Sequence, residues 1–152
     1  MRKDSSKYYS SKQEKKVAKE LKGKTVVASG ALWGSKGDVR SNEYLVECKT
    51  TSKSFYSLTK NVWDKIEKEA IKDGLRTPVM CIDLELGKYR VAVFRFNRID
   101  LPPMCLNDIT TSHKSFNICW GVCYSLLHFK SDCSKKLTLV VIPWNEFILL
   151  VE

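Results

Sequence analysis

The chain has 152 residues, of which 43% are hydrophobic and 28% are charged, so general disorder is excluded and one domain spanning residues 1–152 is expected. No apolar run reaches the ~20 residues of a membrane span, and residues 1–6 carry no apolar stretch of the kind that a signal peptide has. We therefore expect an intracellular protein of the cytoplasm, or of the host cytoplasm if it is viral, that is neither secreted nor bound to a membrane.

The positive charge lies almost entirely in the first half of the chain. The formal net charge is +9, from 26 Lys and Arg against 17 Asp and Glu. Residues 1–76 contain 18 of the basic and 10 of the acidic residues, whereas residues 77–152 contain 8 and 7. A basic half favours a polyanionic partner, with nucleic acid first and an anionic membrane surface second. The alternative is a solvated, lysine-rich helix face that only aids solubility.

The first part of the sequence predicts one helix and three short strands. A helical pattern runs from Ser11 to Lys22 after a polar, frayed segment, with Glu14 on the side that faces the core and Glu20 nearer the opposite side. Short strands follow at Thr25–Ala28, Asp38–Arg40 and Glu43–Lys49. The brief Ser41-Asn42 turn predicts that the second and third of these strands form a hairpin.

The rest of the chain predicts two helices and three strands around a segment without a clear pattern. In chain order the predicted elements are the helix Leu58–Lys72, the strands Pro78–Leu84, Tyr89–Phe96 and Leu137–Ile142, and the helix Trp144–Val151. Residues 101–136 are interpreted as a possible insertion on a core of about residues 11–98 and 137–152. This order predicts an α/β fold of the mixed α+β kind, with a central mixed β-sheet flanked by helices.

Three charged residues, Asp38, Glu47 and Lys49, lie on the two strands of the predicted hairpin. Glu47 and Lys49 are two positions apart and share one face of their strand, where charged side chains are costly unless they are paired or bind a metal. Two carboxylates offer the hard oxygen ligands of Mg²⁺. The backbone carbonyl of Cys48 is a further candidate ligand, whereas its side chain faces the core. An ammonium group beside such an ion suits phosphodiester hydrolysis.

These residues resemble the signature of the PD-(D/E)XK nucleases. The segments Gly37-Asp38-Val39 and Glu47-Cys48-Lys49 match it, with Gly37 where the motif has proline. Glu14 lies upstream on a helix, as in this superfamily, and Ala28-Ser29-Gly30-Ala31 precedes the acidic strand, as in the archaeal Holliday junction resolvases. The continuation through Lys49-Thr50-Thr51-Ser52 is similar to that of phage resolvase-like proteins. The resemblance covers about residues 11–95.

The resemblance implies a PD-(D/E)XK nuclease-like core and a homodimeric endonuclease that cuts branched double-stranded DNA at four-way (Holliday) junctions. It implies Mg²⁺ as the cofactor, with Mn²⁺ as a substitute. Asp38 and Glu47 would bind the metal, with the Cys48 carbonyl and with help from Glu14. Lys49 would act on the nucleophilic water, and Ser29 would position the scissile phosphate. Candidate DNA-binding residues are Lys12, Lys16, Trp33, Lys36, Arg40 and Lys53.

Other functions are compatible with the same residues. A PD-(D/E)XK nuclease of the restriction or repair type would keep the fold and change the substrate. A non-catalytic nucleic-acid-binding module would need no acidic residues within a basic surface, because they repel phosphate. The plainest alternative for Glu47 and Lys49 is a same-face pair that adds ~0.2–1 kcal/mol to strand stability.

The cysteines raise the question of a zinc site. Cys119, Cys123, His128 and Cys133 have the spacing C-x3-C-x4-H-x4-C, and thiolate and imidazole ligands suit tetrahedral Zn²⁺. The apolar residues between them are unlike a glycine-rich zinc knuckle, and Cys119 and Cys123 also fit as i, i+4 residues of a buried helix. We therefore expect buried thiols rather than zinc.

Overall fold

The structure, a computed structural model, describes residues 2–26, 38–111, 114–129 and 136–152, with side chains from residue 7 onward. The helices are α1 (Arg2–Glu20), α2 (Lys60–Lys72) and α3 (Trp144–Val151). The strands are β1 (Lys24–Thr25), β2 (Val39–Arg40), β3 (Tyr44–Thr50), β4 (Phe55–Thr59), β5 (Thr77–Leu84), β6 (Tyr89–Arg95), β7 (Asn107–Thr111), β8 (Ser115–Cys119), β9 (Ser125–Phe129) and β10 (Leu137–Pro143). Within these ranges no helix is both long and apolar enough to span a membrane.

Eight of the strands form one mixed sheet in the order β1-β2-β3-β5-β6-β10-β9-β7. The β3–β5 and β7–β9 pairs are parallel, and the other neighbours are antiparallel. Strands β4 and β8 form a separate antiparallel ribbon. The predicted fold class, an α+β arrangement with a central mixed sheet and flanking helices, is confirmed.

The sheet has an apolar core on each face, because side chains alternate along buried strands. Cys81 and Phe94 belong to the core that packs under α1 and α3, together with Val17 and Phe147 from those helices. On the other face, Met80, Ile82 and Val93 pack beneath α2 and the β4–β8 ribbon, around the fully buried Trp63. The charged residues of the hairpin therefore lie near the β1 side of a sheet that is covered on both faces.

Helix α1 is longer than predicted and its C-terminal end is oriented differently. It begins at Arg2 rather than Ser11, because the polar residues before Ser11 include no helix breaker. Glu20, which was predicted nearer the exposed side, is partly buried and accepts a hydrogen bond from Trp144 Nε1 at 2.7 Å. The hydrophobic pattern of α1 alone could not show this contact, because the donor is the first residue of α3 and lies far away in the sequence.

The start of α2 also differs from the prediction. Leu58 belongs to β4, where it pairs with Phe116 of β8, and the helix begins at Lys60. The Thr59 side chain accepts a hydrogen bond from the backbone N–H of Val62 at 3.2 Å and so caps the helix. The partner strand lies in residues 101–136, which contain β7, β8 and β9. Because this segment has no clear sequence pattern, the pairing could not be predicted.

Candidate active site

The β2–β3 hairpin brings Asp38, Glu47 and Lys49 together. The backbone N–H of Asp38 donates to Val46 O at 2.9 Å, and the hairpin register continues so that Asp38 lies opposite Glu47. The Asp38 Oδ2 atom accepts the backbone N–H of Cys48 at 2.7 Å, which turns this carboxylate toward β3. Lys49 Nζ lies 3.1 Å from Glu47 Oε1. The three residues of the motif therefore form one group on the hairpin.

Helix α1 places Glu14 beside this group through its neighbour Gln13. The Gln13 side chain is buried, and its Nε2 donates to the backbone oxygens of Lys49 at 3.1 Å and Cys81 at 3.0 Å. Its Oε1 accepts from Thr50 Oγ1 at 2.8 Å. One side chain thus satisfies polar groups on two neighbouring strands and fixes the rotation of α1. Glu14 is half-buried and close enough to act on the pKa of Asp38.

The acidic members of this group repel one another. Burial, followed by the Glu47 carboxylate, raises the pKa of Asp38 from 3.8 to about 6, although its hydrogen bond from the Cys48 N–H acts in the opposite direction. Burial and the Glu47 carboxylate also raise the pKa of Glu14. We call Glu14, Asp38, Glu47 and Lys49 the carboxylate cluster. It contains three carboxyl groups and one ammonium group, an arrangement that suits the binding of a cation.

Lys49 is held in its charged form within this cluster. Burial acts to lower the pKa of Lys49, but the charge and hydrogen bond of Glu47 outweigh it, and the pKa is raised. The half-buried Tyr56 of β4 lies near the same ammonium, and burial raises the pKa of its hydroxyl. Lys49 therefore provides a hydrogen-bond donor and a positive charge within the cluster.

The donor chemistry of the carboxylate cluster fits a hard divalent cation. Mg²⁺ takes oxygen ligands, needs only one or two protein carboxylates and keeps several waters. A bound dication would offset both the burial and the carboxylate repulsion that raise the pKa of Asp38. Among the residues that the structure describes, however, no three His, Cys, Asp or Glu side chains converge on a point where they would hold a metal ion together. The fit to Mg²⁺ therefore rests on two carboxylates.

Several predicted site residues lie elsewhere or outside the described ranges. Ser29, Trp33 and Lys36 fall in residues 27–37, which are outside the described residues. The Cys48 side chain packs against the core beneath α1, where a hydrogen bond with Cys81 and burial raise its pKa well above the ordinary value. Only the backbone of Cys48 faces the carboxylate cluster.

The predicted DNA-binding residues differ in their surroundings. Lys12 and Lys16 are exposed on α1. Lys53 is exposed, and its Nζ lies 5.7 Å from the centre of the Phe55 ring. Arg40 forms an ion pair with Asp73 at 2.7 Å, after the end of α2. Arg40 is thus ion-paired within the protein, while the three lysines present their charge to solvent.

The cysteines are arranged differently from the predicted helix. Cys119 ends β8, and a 3₁₀ turn, Trp120–Val122, separates it from Cys123. Burial raises the pKa of Cys123 to about 12. Both ring nitrogens of His128 have other partners, Thr138 Oγ1 at 3.0 Å and Asp108 Oδ1 at 2.7 Å. Cys133 lies outside the described residues.

A second charged group was missed by the sequence analysis. Asp83 on β5 is almost fully buried, and Arg90 of β6 binds it through two contacts, Nε–Oδ1 at 2.5 Å and Nη2–Oδ2 at 2.8 Å. Arg90 Nη1 also lies 3.9 Å from Glu20 Oε1. We call Asp83, Arg90 and Glu20 the buried ion group. A charged residue at an inward position of an apolar strand is the signal that could have identified Asp83.

No family model matches the chain, and no curated protein matches it. Among solved structures, it is similar to Hjc, a Holliday junction resolvase from the archaeal hyperthermophile Archaeoglobus fulgidus, with 16% sequence identity and a TM-score of 0.49. The match covers 74% of this chain and 88% of that one.

Proposed function

We propose that the chain is a metal-dependent endonuclease that resolves four-way DNA junctions as a homodimer, with residues 1–152 forming one nuclease domain. The observation that carries the proposal is the carboxylate cluster: the two halves of the nuclease motif meet on one hairpin, and α1 brings a third carboxyl group to them. Carboxylates that repel phosphate have no use in simple binding by a protein of net charge +9. They are needed where a cation must be held against DNA.

Asp38 and Glu47 would hold Mg²⁺ or Mn²⁺, with the backbone carbonyl of Cys48 and with Glu14 nearby. When bound, the metal ion lowers the pKa of a coordinated water and offsets the negative charge of the phosphate. The protein's own part is to fix both carboxylates: Asp38 through the Cys48 N–H, and Glu47 through its ion pair with Lys49. A preformed set of ligands lowers the cost of ordering the site when DNA arrives.

Lys49 would stabilise negative charge and orient the attacking water. Its raised pKa keeps it protonated at neutral pH, so it donates hydrogen bonds and accepts no proton. This role differs from that of a general base and predicts that Lys49→Arg, which keeps the charge, retains more cleavage than Lys49→Gln. Ser29 would contact the scissile phosphate from its loop.

DNA would be held by its backbone on the basic half of the chain. The exposed Lys12, Lys16 and Lys53 would contact phosphates, together with Lys36, Arg40 and the loop residue Trp33. Such contacts release counterions, so binding should weaken steeply as salt is raised. Selectivity for a branch would then come from its shape rather than from the sequence of its bases.

A cleavage assay on synthetic DNA tests the proposal. Wild-type protein, Asp38→Asn and the control Asp64→Asn, which changes an exposed carboxylate that pairs with Lys60 on α2, are incubated with a four-way junction in Mg²⁺. We expect Asp38→Asn to lose at least about 100-fold in rate, the size of effect typical of removing a charge-stabilising group. Asp64→Asn should stay close to wild type. Full cleavage by Asp38→Asn would overturn the proposed site.

The substrate and the oligomer are tested in the same series. A four-way junction, a flap and a linear duplex of equal length are compared at one salt concentration, and sedimentation gives the mass of the free protein. We expect faster cleavage of the junction, with paired cuts on opposing strands, and the mass of a dimer. Equal rates on the three substrates would support a nuclease but contradict a preference for junctions. The mass of a monomer would contradict paired cleavage by two subunits.

A further inference from the structure

Beside the carboxylate cluster lies an exposed group of aromatic and basic side chains. Tyr89 and Trp120 stack with ring centres 5.1 Å apart and an interplanar angle of 29°. Lys88 Nζ lies 5.3 Å from the centre of the Tyr89 ring, and Lys53 lies over Phe55 in the same manner. We call Lys53, Phe55, Lys88, Tyr89 and Trp120 the aromatic patch.

Backbone contacts join the parts of this patch. Phe55 pairs with Cys119 across the β4–β8 ribbon, so it lies next to the turn that carries Trp120. The backbone oxygen of Lys53 accepts the N–H of Glu85, in the short connection that leads to Lys88 and Tyr89. Two loops and the end of the ribbon therefore form one surface.

The strand register places this surface close to the carboxylate cluster. Lys49 pairs with Ile82, and Ile82 pairs with Val91, so these residues share one face of the sheet. Two positions further along, Leu84 pairs with Tyr89 on that same face. With strands ~4.8 Å apart and ~3.3 Å per residue, the Cα atoms of Lys49 and Tyr89 are about 12 Å apart. A single DNA backbone can reach both.

The exposure of the rings indicates a binding role. Trp120 is 42% exposed and Phe55 is 39% exposed, although large aromatic residues are ordinarily buried. Trp120 already stacks on Tyr89, so a flat ligand on its outer face would extend an existing stack. The two lysines add positive charge at the rim, and Glu85 is the one acidic residue in the connection between β5 and β6. Aromatic faces combined with positive charge are the features that bind unpaired nucleotides.

We propose that the aromatic patch stacks on base faces left uncovered at a branch or gap in DNA and so presents the strand beside them to the carboxylate cluster. This inference rests on the proposed function, because it assigns the patch to the DNA of that reaction. In a continuous duplex each base is covered on both faces by its neighbours. Only a branch, gap or end offers a free base face, so the patch provides selectivity without sequence readout. The two lysines would contact the phosphates on either side.

The test uses full-length Asp38→Asn protein without divalent cations, so that binding is measured apart from cleavage. The probes are a fluorescein-labelled duplex with a short single-stranded gap and the same duplex fully paired. Fluorescence anisotropy is recorded for this background and for added Trp120→Ala, Trp120→Phe or Phe96→Ala. Phe96 is the matched control, since it is also 39% exposed but follows the opposite end of β6 from Tyr89.

We expect Trp120→Ala to weaken binding to the gapped duplex by about 5- to 100-fold, which corresponds to the loss of one base–aromatic stack. Trp120→Phe should restore most of the affinity. Binding to the paired duplex should change less than about twofold, and Phe96→Ala should change neither. In addition, a 2-aminopurine base in the gap should be quenched by protein that carries Trp120, a signal that needs no variant that might misfold.

Other results would overturn the inference. Equal loss on gapped and paired duplex would make the patch a general phosphate contact, and unchanged gapped binding without quenching would remove stacking altogether. Dissociation of a dimer by Trp120→Ala, seen by sedimentation, would assign the patch to the subunit contact instead. The proposed function fails separately, if Asp38→Asn still cuts junctions, because the binding measurements do not depend on cleavage.

Discussion

The carboxylate cluster and the buried ion group are both built from acidic and basic side chains around α1, yet their charges are matched very differently. In the buried ion group, the Arg90 guanidinium meets both oxygens of Asp83, and Glu20 accepts the Trp144 indole N–H. In the carboxylate cluster, three carboxyl groups face one ammonium, and the pKa of Asp38 is raised to about 6. A matched ion group is costly to break, whereas an excess of one charge is tolerated where a ligand will compensate it.

Removing one partner from the buried ion group should have the largest effect on stability. Arg90→Met leaves the Asp83 carboxylate buried without its cation, and we expect a loss of about 3–5 kcal/mol in the free energy of unfolding. Urea denaturation at neutral pH measures this loss. Lys60→Met is the control, because it breaks an ion pair with Asp64 in which both side chains are more than one third exposed, and such pairs contribute only about 0–1 kcal/mol.

The double variant Asp83→Leu with Arg90→Met tests whether this loss of stability comes from the uncompensated charge of Asp83. If the loss in Arg90→Met comes from an uncompensated charge, removing that charge as well should recover much of the stability. A loss under about 1 kcal/mol in the single variant would mean that Asp83 finds another partner or becomes protonated. The stability of the fold would then not depend on matched charges in the buried ion group, and the two charged groups would not differ in this respect.

For the carboxylate cluster we expect the opposite effect on stability: removing a charged side chain should increase the free energy of unfolding. The Asp38 pKa is about 6 in the folded protein and 3.8 in the reference state, so folding favours its protonated form. Its charge therefore costs no stability below about pH 4 and costs up to about 1–3 kcal/mol above pH 6. Asp38→Asn should gain stability relative to wild type as the pH rises from 4 to 7, while it loses cleavage.

Urea unfolding of wild type, Asp38→Asn and Asp64→Asn at several pH values between 4 and 7 checks this sign. The difference between wild type and Asp64→Asn should stay nearly constant over the range. A difference for Asp38→Asn that is flat, or that falls with pH, would show that its carboxylate is already compensated in the folded state. The cluster would then resemble the buried ion group.

The hairpin and its charged residues could be predicted from sequence because the interactions are local. Asp38 and Glu47 are nine positions apart, the turn between their strands is short, and alternation alone places Glu47 and Lys49 on one face. The strand at β5 was also predictable, since a continuous apolar run is typical of a strand buried on both faces.

The remaining features depend on pairings between distant parts of the chain. Asp83 and Arg90 are directly opposite only because β5 and β6 take one particular register. The pairing of β4 with β8, and the parallel pairing of β7 with β9, join segments that have no strong pattern of their own. The aromatic patch was hidden for the same reason, since Tyr89 and Trp120 meet only after the ribbon has packed on the sheet.

Gln13 directly precedes Glu14 of the carboxylate cluster on α1, and its replacement should give the smallest effect of the series. Gln13→Leu fills the same space but leaves the Lys49 and Cys81 carbonyls without their side-chain donor, so we expect a loss of about 1–2 kcal/mol in the free energy of unfolding. The matched control is Lys15→Leu, at an exposed position of the same helix.

A positioning role for Gln13 also predicts an effect that lost stability alone would not produce. If Gln13 fixes the rotation of α1, Gln13→Leu moves the Glu14 carboxyl away from Asp38, and the pKa of Asp38 should fall because one source of repulsion is weakened. NMR titration of the Asp38 carboxyl carbon measures this shift under conditions where both proteins are fully folded. An unchanged Asp38 pKa together with reduced stability would make Gln13 a packing residue only, and the two charged groups would then be independent of each other.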